Sequence, residues 1–130
     1  MRALIVDNSR VISDLSRDFL NRARFQVVAA AGGLEALALL DTIGPAVVAF
    51  VSWDLPGKWA LTLVREVRSH ASWDAMRIIM VTDGLDTQQV IQGIHAGVDD
   101  CLIRPFTRSR LLEKIAALSA ARHFKRDFRA

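Results

Sequence analysis

The sequence contains no tyrosine, one cysteine and three prolines, and each shortage excludes something. Without a second cysteine no internal disulfide can staple the chain, so Cys101 fits a reducing compartment and apolar burial must hold the core. Long apolar runs are missing too. The longest uncharged ones, "PAVVAFVSW" and "VVAAAGGL", fall far short of the roughly 20 residues that span a bilayer. No small-residue cleavage site follows the strand-like start "MRALIVD", so no secretory leader and no membrane partner is expected, and the reading is of a cytoplasmic protein. The body also lacks a surplus of either charge. Residues 121–130, "ARHFKRDFRA", carry four basic side chains against one acidic, while the first 120 residues balance 13 against 13. The high isoelectric point therefore comes from a basic tail, and nucleic-acid binding by the body is not expected. His70, His95 and His123 share no metal-ligand spacing, and no "GxGxxG" fingerprint exists, since Gly32 and Gly33 precede the second helix and not the first.

What is present fits one domain. The chain has 130 residues, 52% of them apolar and 24% charged, enough to build a core without a metal or disulfides. Short β-branched runs alternate with helical periodicity. The strands expected are residues 2–6, 25–30, 46–51, 76–81 and 100–103. Runs such as "VVAFV" show no polar alternation, so both faces of the sheet must be covered. Val11, Ile12, Leu15 and Phe19 recur at helical spacing after the capping pair "NS". Four further helices follow the remaining strands: Leu34 to Leu40, Leu61 to Val67, Val90 to Ile94 and Leu111 to Leu118. The expected fold is α/β, a (βα)5 doubly wound parallel sheet with helices on both faces. Ligands of such sheets sit beyond the C-terminal strand ends. That places Asp7 and Asn8, Ser52 to Gly57, Thr82 and Asp83, and Arg104 and Pro105 at the functional end.

The motifs "LIVDNSR", "AAGGLEAL", the proline of "SWDLPG", "IIMVT" and "GIHAGVDDCLIRPF" occur in this order. Together they make residues 2 to about 120 resemble a response regulator receiver domain of the CheY-like superfamily, with residues 121–130 as a basic extension of the last helix or a linker. The resemblance implies a flavodoxin-like fold and a role in two-component phosphorelay signalling. It also implies a chemistry in which an aspartate at the end of strand 3 accepts a phosphoryl group. Mg²⁺ bound by that aspartate and an acidic pair after strand 1 neutralises the transferring oxygens, while a lysine and a Ser/Thr receive the product.

Mapped onto this chain, the resemblance implies a dismantled site. Counting four residues back from Pro56 puts Ser52 at the acceptor position. The acidic pair is Asp7 and the neutral Asn8, and the lysine position holds Arg104; Thr82 alone is unchanged. With two carboxylates lost, Mg²⁺ binding is expected to be weak or absent. Serine is no substitute nucleophile without a general base. Arg104 is expected to pair with Asp7, in which case Asp7→Asn should cost stability. Asp54, two residues past the acceptor position, is the alternative nucleophile for a phosphotransfer-competent reading with Mg²⁺, and otherwise a loop residue. Cys101 stands at the family's aromatic switch position, with a buried strand thiol as its plainer role.

The expected function is therefore that of an atypical, or pseudo-, receiver: no enzyme and no catalytic residues, but a phosphorylation-independent protein–protein interaction module. The resemblance places its partner, output-domain or self-association face on the fourth helix, fifth strand and fifth helix, with Val90, Ile94, Phe124 and Phe128 as candidates. Phe124 and Phe128 fall on a second apolar stripe with Ala117 and Ala121, which either packs on a partner or frays in solvent. Trp59 and Trp73 are open between core and partner anchor. A flavodoxin-like cofactor binder is the competing class, and the lack of a Ser/Thr-rich loop after strand 1 argues against it.

Overall fold

The computed structural model describes residues 1–84 and 86–129, with side chains through residue 118 apart from Leu85. The side chains of Phe124 and Phe128 lie outside the described residues. Five strands, β1 (Arg2–Val6), β2 (Gln26–Ala30), β3 (Val48–Ser52), β4 (Arg77–Thr82) and β5 (Asp100–Ile103), form one sheet. All its pairings are parallel, in the order β2-β1-β3-β4-β5. The helices α1 (Arg10–Arg22), α2 (Gly33–Ile43), α3 (Trp59–Ser69), α4 (Thr87–Ala96) and α5 (Arg108–Arg129) alternate with the strands. The expected (βα)5 architecture is thus observed, with the order reversing at β1 and opening a crevice between β1 and β3.

The apolar strands do alternate, but between two cores. Leu4, Val6, Ala49, Val51, Ile78 and Met80 pack with Ala36, Leu40, Leu63 and Val67 under α2, α3 and α4. Ala3, Ile5, Val48, Phe50, Ile79 and Val81 pack with Leu20, Leu111 and Leu118 under α1 and α5. Each strand feeds both layers with successive residues, which is why no polar alternation is visible in the sequence. The third strand begins at Val48, two residues later than its apolar run, with Val48 in register with Ala3 and the Val47 N–H already donating to the Arg2 carbonyl at 2.9 Å. It ends one residue later, as Ser52 pairs with Val81. Ser9 is the N-cap of α1 and accepts from the Ile12 N–H at 3.4 Å, as the "NS" pair predicts. Trp73 is buried in the core, and Trp59 is half-buried with its ring against Gly33, where a Cβ would come within 2.6 Å of Cε3. That contact accounts for the second glycine of "AGG".

The "AGVDD" stretch is structural. Gly97 closes α4 at φ 121°, a conformation that favours glycine. The next acidic residue, Asp99, accepts from the Ile78 N–H at 2.8 Å and from Arg68 Nη2 at 2.9 Å, with Arg77 Nη1 at 3.4 Å. Arg68 also donates to the carbonyls of Gly97, Met76 and Asp74. This clamp joins the end of α3 to the starts of β4 and β5, far from the crevice. Asp100 in turn accepts from Lys114 of α5 at 3.0 Å. Removing the Asp99 carboxylate takes a counter-ion from Arg68 and Arg77 and the acceptor from a strand N–H, although Arg68 keeps its three carbonyls. Asp99→Ala should therefore cost about 3–5 kcal/mol, read as a drop in the urea midpoint at unchanged slope; a loss below about 1 kcal/mol would contradict this role.

Candidate functional site

Four loops meet at the C-terminal edge of the sheet. Asp7 follows β1 and is held by its own turn, its Oδ1 accepting from the Ser9 N–H at 2.8 Å, and it is almost wholly buried. The neighbouring Asn8 is exposed. Ser52 is the last residue of β3 and is 1% exposed, so the strand does not bring it to the surface. Its Oγ finds no hydrogen-bond partner among the described residues. Thr82 ends β4, also buried, and its Oγ1 donates to the Gly84 carbonyl at 3.1 Å.

Arg104 is the centre of the arrangement. Its backbone N–H continues the ladder to the Thr82 carbonyl at 2.8 Å, and a cis peptide bond joins it to Pro105. The guanidinium, only 10% exposed, turns back over the strand ends and meets three carboxylates. Nη1 lies 3.6 Å from Asp7 Oδ2, the pair expected from the sequence. Nη2 donates to Asp54 Oδ2 in the closest of the contacts. Nε lies 3.0 Å from Asp83 Oδ1 but without hydrogen-bond alignment, so that contact is electrostatic. The partners differ in what they are worth. Asp7 is buried, whereas Asp54 and Asp83 are 51% and 77% exposed, and water and salt screen them.

Sequence reasoning located Asp54 and Asp83 at this end without finding that they converge on Arg104. The signal that could have found them is the charge count at the strand ends: three acidic residues and one basic residue, with no other cation among the positions expected there. Cys101 is half-buried and packs at the margin of the α2–α4 core, instead of being a fully buried strand thiol. It also lines a cleft of about 610 Å³ with Ile103, Arg104, Pro105, Phe106, Thr107, Arg110 and Lys114. Val90 is half-buried and Ile94 60% exposed on α4. His70 stacks on Trp73 at the opposite end of the sheet, and His95 is exposed on α4, away from the crevice. Among the described residues, no group of three or more His, Cys, Asp or Glu side chains is placed to hold a metal ion, and no helix is long and apolar enough to cross a membrane.

Burial pushes the Asp7 carboxyl above its ordinary range; the Ser9 N–H and Arg104 pull it down, and the carboxylates of Asp54 and Asp83 push it up again. A folded-state pKa above the unfolded value of about 3.9 means that the folded domain binds this proton more tightly. The stability tied to Asp7 is fully present below that unfolded value and is lost as pH rises through the folded one. The Asp7–Arg104 pair exists, but its sign is not the one expected from the pair alone. Asp7→Asn, which keeps an acceptor for Ser9, should be at least as stable as the parent at pH 7, with the advantage fading toward about pH 4. Parallel urea titrations across this range check it, and a clear loss at pH 7 would contradict it.

Residues 3–116 match the family described as response regulator receiver domain. The chain is 33% identical over 116 residues to chemotaxis protein CheY1 of Helicobacter pylori, covering 88% of this chain and 94% of that protein. It is 34% identical over 121 residues to chemotaxis protein CheY of Pseudomonas aeruginosa, covering 88% and 93%. The solved structure of Vibrio cholerae chemotaxis protein CheY4 superposes with a TM-score of 0.84 at 26% identity, covering 89% of this chain and 96% of that one. Fold, crevice and sequence agree: the chain belongs to the response regulator receiver domain family, the CheY-like receivers of two-component signalling.

Proposed function

We propose that this receiver works without phosphoryl transfer, as a pseudo-receiver that serves two-component signalling through protein–protein contact alone. The observation that carries this reading is the pair Ser52 and Arg104: a buried, unpartnered hydroxyl at the family's acceptor position, and a guanidinium lodged against the one buried carboxylate of the pocket. Attack on phosphorus by Ser52 would need a base to take its proton, and no group hydrogen-bonds to its Oγ among the described residues. The donor set does not fit Mg²⁺, which prefers six hard oxygens in octahedral array with carboxylates as anchors. Asp7 is its only buried carboxylate, and a cation already faces it. Two like unit charges near 4 Å oppose each other by about 4 kcal/mol, gross, at an effective dielectric near 20, and a divalent ion doubles that. The switch pair is altered as well, with Thr82 engaged on its own loop and Cys101 where an aromatic would report its motion.

Contact then falls to the face formed by α4, β5 and α5. Ile91 and Ile94 on α4 and Ile103 on β5 keep much of their side chains in solvent, as a partner-seeking surface would. The partner is a protein, an output domain or a second copy of the chain, and the setting is cytoplasmic. Neither nucleic acid nor a cofactor enters the reading.

Asp54 supports a second reading. Its half-exposed carboxylate stands beside the Arg104 guanidinium, which would stabilise the charge left on an aspartyl phosphate formed by attack on an acyl phosphate with loss of the carboxylate. Intact mass after incubation with acetyl phosphate and Mg²⁺ decides. The pseudo-receiver reading expects no gain; a gain of ~80 Da that Asp54→Asn abolishes establishes the second reading, and one that Ser52→Ala abolishes makes Ser52 the acceptor.

A further inference from the structure

We propose that Arg104 is the resident cation of this pocket: a built-in ionic latch that ties the loops after β1, β3 and β4 to the end of β5 and holds them in one arrangement regardless of divalent cation. The latch rests on the reading above and deepens it, since it names the group that faces the carboxylates of the pocket.

Its geometry is that of a shared counter-ion. The side chain starts from a strand end fixed by the Arg104 N–H bond to the Thr82 carbonyl, so its stem leaves the sheet at a set place. Each of its three nitrogens then faces a different loop: Nη1 faces Asp7, Nη2 faces Asp54, and Nε faces Asp83. An isolated exposed pair contributes little because two long side chains must be immobilised for one contact. Here the immobilisation of one guanidinium serves three short carboxylates, and the planar fork lets them approach from separate directions. The loop after β4 is held twice, by Asp83 on Arg104 and by the Thr82 hydroxyl on the Gly84 carbonyl. Two residues beyond Gly84, Asp86 caps α4 through the Gln88 and Gln89 N–H groups.

A divalent ion seeking Asp7 would have to displace the guanidinium, because Oδ1 already accepts from the Ser9 N–H and Oδ2 faces Arg104. A lysine at this position would present a compact, strongly hydrated charge on a flexible stem, without the wide planar fork that spaces the three contacts. The arginine is thus what converts a metal-dependent pocket into one closed by the chain itself.

The test uses Trp53, which lies between Ser52 and Asp54, as a fluorescent reporter, together with hydrogen exchange of residues 82–84. The parent should show no saturable change in Trp53 emission on titration with Mg²⁺, and slow exchange with or without the ion. Arg104→Ala should gain a saturable Mg²⁺ response, and without Mg²⁺ its exchange at residues 82–84 should rise about tenfold or more. Arg104→Lys should lie between the two. Asp83→Asn, at an exposed position where folding is not at stake, should raise exchange at this loop alone, and this arm decides the matter if Arg104→Ala does not fold. A saturable Mg²⁺ response in the parent, or exchange unchanged in both Arg104→Ala and Asp83→Asn, overturns the latch. No phosphodonor is present in these measurements. Phosphoryl transfer in the mass experiment would thus overturn the pseudo-receiver reading and leave the latch standing, while a failed latch leaves the mass result as it is.

Discussion

The C-terminal end of the sheet is organised around the Arg104 guanidinium, which faces the buried Asp7 carboxylate and two more carboxylates from neighbouring loops. Burying Asp7 is unfavourable, and its raised pKa records that cost; burying it against an unpaired cation-free wall would be worse. Arg104 in turn is anchored by the β4–β5 ladder, so its charge is available only because that edge of the sheet is formed. The remaining features of the crevice follow from the position of this one cation. Asp54 and Asp83 lean toward it from two loops, and Ser52 lies beneath as a small, neutral, buried residue that adds no charge to the pocket.

The opposite end of the sheet uses the same chemistry with the signs exchanged. There Asp99 is the central group, taking two guanidinium contacts and a strand N–H. The clamp gives Gly97 and Asp99 of "AGVDD" a structural role at the far end of the sheet from the crevice. The clamp shapes the fold, whereas Asp7, Ser52 and Arg104 shape what the fold can do. The two charge networks lie at opposite ends of β4 and β5, with the uncharged cores between them.

Much of this was legible in the sequence, for physical reasons. Five apolar runs separated by helical periodicity leave few ways to cover both faces of a parallel sheet, and each strand falls within two residues of its expected limits. Pro56 provides a fixed point, and counting back from it places Ser52 at the end of β3, where it is found. The Asp7–Arg104 pair was legible as complementary charge at the same edge of the sheet. Three things were not. The convergence of Asp54 and Asp83 on Arg104 depends on where loops fold back, which no periodicity encodes. The adverse balance at Asp7 depends on how far water is excluded, and a sequence carries no measure of that. The work of Asp99 depends on Arg68 and Arg77, which are distant from it along the chain and meet it only through the α3–β4–β5 packing.

The central claim is that the pocket carries its own cation. Anomalous diffraction from crystals grown with excess Mn²⁺, a scatterer that Mg²⁺ sites of receivers would accept, tests it most directly. The account predicts no anomalous peak among Asp7, Asp54 and Asp83, with the Arg104 guanidinium in contact with all three. A peak ligated by Asp7, with the guanidinium displaced from the pocket, would contradict it.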